Sequence, residues 1–96
     1  MAELRPTTVT FAIPAPLERS ALPELYRRVC FLLESSGASV AICDVAGVAA
    51  DAVSIDALAR LKLAARRHRC RIEFRHASPE LRDLIAFVGL EDVLTG

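Results

Sequence analysis

From Ser39 to Gly89 the chain spells out one order of elements, and that order leaves little choice of architecture. Ser39-Val-Ala-Ile-Cys-Asp-Val45 is an apolar run closed by an acid, and it predicts a buried strand. A loop rich in Gly and Ala follows, then a helical pattern from about Ser54 to His68 and a second strand over Cys70–Phe74. The turn Ala77-Ser-Pro-Glu-Leu81 then opens another helix: Ser78 is placed as N-cap, Pro79 at the first position and Glu80 at the positive end of the dipole. Gly89 marks its end. Strands that alternate with helices through short connections build a mostly parallel sheet by right-handed crossovers.

The N-terminal part extends the same pattern. Thr8–Ile13 alternates threonine with apolar residues, as a strand does, until Pro14 and Pro16 stop it. Ser20 is the expected N-cap of a first helix, with Pro23 and Glu24 in its first turn and Gly37 at its end. Leu22, Leu25, Val29, Leu32 and Leu33 recur at helical spacing and are expected to face the sheet. Val40–Asp44 is apolar up to its acid, which predicts a central strand covered on both faces. On the second helix Ile55, Leu58, Ala59, Leu61 and Ala65 are assigned inward, and Asp56 and Arg60 form an outer i,i+4 pair. On the third, Leu81, Leu84, Ile85 and Val88 form the inward stripe, and Leu90–Leu94 is expected to add a short turn. The whole reads as one α/β domain over residues 1–96, in the order βαβαβα.

Composition narrows the function classes. At 96 residues and 53% hydrophobic content the chain has enough apolar side chains for a core of its own. Twelve acids balance twelve bases, so no overall field draws it to nucleic acid or to an anionic membrane. The N-terminus lacks an apolar signal-peptide core and no run is long enough to span a bilayer, so a cytoplasmic, membrane-free protein is expected. Cys30, Cys43 and Cys70 each sit in apolar segments, which predicts reduced, buried thiols rather than a metal or redox site. His68 and His76 have no carboxylate or nucleophile at a suggestive spacing, and the four glycines form no phosphate loop. Arg66, Arg67, Arg69 and Arg71 cluster where a helix C-terminus favours positive charge. No cofactor, metal or catalytic residue is expected.

Two segments resemble the STAS family, named for sulfate transporters and anti-sigma factor antagonists. Asp44-Val-Ala-Gly-Val48 is loosely similar to the family's strand ending Asp-Leu-Ser-x-Val. Ser78-Pro-Glu-Leu-Arg-Asp-Leu-Ile-Ala-Phe-Val-Gly-Leu90 is closely similar to its Ser-Pro-x-Val-x-x-x-Leu-x-x-x-Gly-Leu. The resemblance covers about the last two-thirds of the chain and implies a STAS-like α/β sandwich. Only Ile13-Pro-Ala-Pro-Leu-Glu18 stands where the family has its opening hairpin, which leaves one N-terminal strand unaccounted for.

By this resemblance the chain is expected to be a non-enzymatic bacterial interaction module, similar to an anti-sigma factor antagonist. Its partner would be an anti-sigma factor or a kinase-like regulator, met as a monomer or weak homodimer. In such proteins a serine in the turn before the second helix is phosphorylated, which adds nearly two negative charges to the contact surface. Counting forward from Asp44 puts that position on Ser54. Counting back from Ser78 puts it on Val53, with Asp51 as the family's aspartate and Ser54 as its glycine. The second register keeps Ile55 and Leu58 inward and is preferred; in the first, Ser54 is the phosphorylation candidate. Asp44, Asp51, Val53, Ser54 and Asp56 are the expected partner-facing residues. The alternative is a STAS-fold sensor or assembly domain that binds a small anion or nucleotide at the second helix's N-terminus, or self-associates. A receiver domain with Asp44 as acceptor lacks the early acidic pair and the late Lys-Pro.

Overall fold

The computed structural model describes residues 7–90. Strand β1 (Thr8–Ala12) leads through a single 3-10 turn, Arg19–Ala21, into helix α1 (Leu22–Ser36). Strand β2 (Val40–Asp44), helix α2 (Ala52–Arg67), strand β3 (Arg71–Arg75) and helix α3 (Pro79–Phe87) follow. The three strands are parallel in the order β1-β2-β3, with Thr10, Ile42 and Glu73 in one cross-strand row. No further strand occurs among the described residues: Ile13–Glu18, which stands where the family has its opening hairpin, is a loop, and the expected Leu90–Leu94 turn lies outside the described residues but for Leu90.

This order decides how the layers stack. Two crossovers of the same hand that step in the same direction put both helices on one face, and α1 packs against α2. The covered face carries Ala41, Cys43 and Ile72, joined to Leu25, Val29 and Leu33 of α1 and to Leu58 and Leu61 of α2 in one core. Leu81 and Ile85 bring α3 to the same core. Among the described residues nothing covers the opposite face, with Thr10, Val40 and Ile42, so within them β2 is buried on one side rather than on both as its apolar run suggests. The run reflects β-branched preference at Val40 and Ile42 as much as burial.

Element ends follow local chemistry. Gly37 takes the left-handed conformation, φ 62°, and its N–H donates to Leu33 O at 3.2 Å, closing α1. Ser20 does not cap α1: it lies within the 3-10 turn, and Ala21 occupies the cap position with Pro23 in the first turn. Ser78 caps α3 as expected, accepting from the Leu81 N–H at 3.1 Å. Val88 is not part of the inward stripe. α3 ends at Phe87 and the chain swings away at Gly89, φ 78°, so Val88 is 43% exposed beside an 86% exposed Phe87.

Candidate functional site

The C-terminal ends of the parallel strands and the N-termini of the helices meet at one edge of the molecule, the usual place for recognition in open α/β sheets. Three loops form it: Ile13–Glu18 after β1, Val45–Asp51 after β2, and His76–Ser78 after β3. Val45 and Val48 are buried and pin the middle loop to the core, so Ala46, Gly47, Ala49, Ala50, Asp51 and Ala52 are held up as an exposed corner. Gly47 has φ 82°, a conformation open to glycine, and a Cβ there would stand 3.5 Å from the Ala15 Cβ. The first two loops therefore touch at the base of the corner.

Asp44 closes β2 and holds the loop's entry. Its Oδ1 accepts the Ala46 N–H at 3.0 Å and lies 3.3 Å from His76 Nδ1. The Ala46 hydrogen bond, then that of His76, pull the Asp44 carboxyl below its ordinary pKa. His76 itself sits in a left-handed conformation, φ 67°, which aims its ring back across the sheet edge.

Asp51 holds the loop's exit. It is the N-cap of α2: its Oδ1 accepts the Ser54 N–H at 2.9 Å and it receives the Ser54 hydroxyl as well. These two bonds, the backbone one first, hold the Asp51 carboxyl below the usual range. The helix thus begins two residues earlier than the pattern indicates, with Asp51 as its cap. Ser54 sits at the third helical position with 1% of its surface exposed. Its hydroxyl points into the cap rather than toward a partner, so as a phosphorylation candidate it would first have to leave the core. Val53 is half-buried against the core edge, and Asp56 forms the expected pair with Arg60 at 3.3 Å, with Arg19 at 3.9 Å.

Of the five residues expected to face a partner, then, Asp51 is exposed at the corner, Asp44, Val53 and Asp56 flank it half-buried, and Ser54 lies beneath it. Sequence reasoning passed over Ala46, Ala49, Ala50 and Ala52, because small side chains carry no chemical signal beyond the room they leave. It also missed the contact of His76 with Asp44, which joins residues 32 apart along the chain.

Near this edge the Tyr26 hydroxyl is buried without a hydrogen-bond partner among the described residues. Burial, then the nearby Asp56, raises its pKa. The Cys43 thiol is pushed up to about 12 by burial, with the adjacent Asp44 adding to it, and burial also raises Cys70. Among the described residues no group of three or more His, Cys, Asp or Glu is placed to hold a metal ion, and no helix is long and apolar enough to cross a membrane. No protein-family model matches the chain, and no curated protein matches it either.

Proposed function

We propose that the chain is a STAS-type interaction module that acts by binding, similar to an anti-sigma factor antagonist, and that it presents the 46–56 corner to an anti-sigma factor or kinase-like regulator. The observation that carries this reading is the corner itself: exposed small residues fixed between two carboxylate-anchored ends, Asp44 to Ala46 and Asp51 to Ser54. A protein surface can close on such a rigid, shallow edge without ordering long side chains first. The capped Ser78-Pro79 start of α3 agrees with the motif that suggested the family.

Ser54 is buried where the preferred register puts the family's glycine, and Val53 stands where it puts the phosphoserine. The complex would therefore persist in the presence of ATP instead of being dissolved by phosphorylation. The anion-sensor alternative is weaker, because the Asp51 carboxylate already occupies the α2 N-terminus that an anion would need.

Incubation of the chain with the anti-sigma kinase of its own cell and ATP, followed by gel filtration and intact mass, tests the reading. A complex that survives ATP, with no phosphate on the chain and with binding lost in Ala49→Arg, is the expected result. Absence of any complex, or one indifferent to Ala49→Arg and Ala52→Arg, refutes it.

A further inference from the structure

The border strand β1 carries a second feature that the proposed function does not use, and only Pro14, in the loop after β1, belongs both to it and to the loop edge described above. Among the described residues β1 pairs only with β2, and none of them covers its other edge. Val40 N–H donates to Thr7 O at 3.1 Å and Ile13 N–H to Asp44 O at 3.0 Å. In a parallel ladder alternate residues bond the same neighbour, so Val9 and Phe11 also face β2, while the N–H and C=O groups of Thr8, Thr10 and Ala12 point outward. Monomeric proteins blunt such an edge with lysine, proline or a bulge. Here the outward residues are uncharged and the register is unbroken from Thr8 to Ala12.

Beside this edge, between β1 and α1, runs a largely apolar trough of about 570 Å³ lined by Phe11, Pro14, Leu25, Val29, Phe31 and Leu32, with Arg27 and Arg28 completing its wall. Phe31 is 69% exposed. The next strand in the sheet would set alternate side chains over that trough.

We propose that this edge is the two-fold interface of a homodimer, in which the β1 strands of two copies pair antiparallel and join two three-stranded sheets into one of six strands. The occupant the trough requires has apolar residues at every second position, and β1 has them in Val9 and Phe11. A two-fold axis normal to the sheet keeps both helical layers on the same side, so each copy's Val9 and Phe11 meet the other's trough and the two α1 helices run antiparallel. With the axis at the Phe31–Leu32 stretch, Arg28 of each copy comes level with Glu34 and Ser35 of the other. Arg28 and Glu34 have no ion-pair partner among the described residues, and the pairing satisfies both. Net charge zero leaves no overall repulsion between copies.

Sedimentation of the full chain over a dilution series tests the interface, with hydrogen exchange read on the same samples. A species of twice 10.4 kDa is expected, with the Thr10 and Ala12 amides protected at high concentration and exchanging on dilution. Thr10→Pro removes an outward N–H and leaves the Val9 and Phe11 bonds to β2 intact, so it should give a monomer of unchanged circular dichroism. Phe31→Ser, altering an exposed side chain, should weaken the dimer with the monomer fold unaffected, and it serves if the proline variant fails to fold. A monomer at every concentration overturns the proposal. So does a dimer whose Thr10 amide exchanges freely, or one that survives Phe31→Ser undiminished.

Discussion

A carboxylate at position 54 distinguishes a packed corner from a phosphorylatable surface. If Ser54 were a surface phosphorylation site, Ser54→Asp would leave stability alone and act only on binding. In the structure the side chain is 1% exposed and its hydroxyl already donates to Asp51. The substitution replaces that donor with an acceptor and sets a carboxylate, buried at position 54, against the exposed Asp51 carboxylate. Leaving a buried charge without a partner costs about 3–5 kcal/mol, against a total stability of about 5–15 kcal/mol for a domain of ordinary kind. At ~4–8 °C per kcal/mol for a domain under 100 residues, even the low end lowers Tm by ~12 °C or more. The introduced acid would escape part of this by holding its proton, so its folded pKa lies above its unfolded one. The deficit should therefore shrink as pH falls and deepen as pH rises through that pKa. Val53→Asp is the control. It gives up half of a valine's burial, about 1 kcal/mol, and recovers a few tenths from the positive helix end. Thermal and urea unfolding followed at 222 nm measure both. A Ser54→Asp protein within ~4 °C of wild type, less than 1 kcal/mol, would refute the packed-corner reading.

Three further outcomes follow from the same geometry. Tyr26→Phe removes a buried hydroxyl that has no partner among the described residues, so the urea midpoint should hold or rise by up to about 1 kcal/mol equivalent; a clear fall would reveal a partner. Asp44, Asp51 and Glu73 all have folded pKa values below their ordinary ones, Glu73 through Arg75 and then Arg71. Their contribution is complete above the unfolded carboxylate range and is lost as pH falls, so the urea midpoint should stay level down to about pH 5 and drop below ~pH 4; a midpoint rising with acid refutes the assignment. Iodoacetamide should modify the half-exposed Cys30 first and leave Cys43 and Cys70 unreacted until the chain unfolds, as peptide mapping of a time course would record.

The fold was legible wherever the signal was local. Alternation in Thr8–Ala12, the Gly37 stop and the Ser78-Pro79 cap each depend on a few neighbouring residues, and each stands as expected. The start of α2 lies two residues before the expected one because Asp51 and Ser54, three apart, both have side chains suited to an N-cap. Either can accept an N–H three residues on, and only packing decides which of them is buried. Asp51 wins because Ser54 shares its helical face with Leu58 and Leu61, both fully buried. Val88 failed for the converse reason: helical spacing continues in sequence after the helix has ended in space. The exposure of the 46–52 corner was likewise invisible, since alanines read the same in a core and on a ridge.

The uncovered sheet face was hidden too, and its two borders are treated differently. On β3 the residues pointing to that face are Arg71, Glu73 and Arg75, with Glu73 bridging the two arginines at 3.0 and 2.7 Å. This charged row shields one side of Val40 and Ile42 and disfavours stacking of a second sheet over them, because doing so would strip water from three ions. On β1 the same rows carry only Thr8, Thr10 and Ala12. Had selection acted simply to keep the open sheet from associating, the charges would protect the barer β1 edge, which has an apolar trough beside it. Their confinement to β3 leaves β1 as the border at which strand pairing with another chain is least opposed, and places that contact on the far side of the sheet from the charged row. Moving the charge tests this directly: Thr10→Lys should abolish self-association, while Glu73→Gln, which breaks up the β3 row, should leave the β1-edge dimer intact in sedimentation.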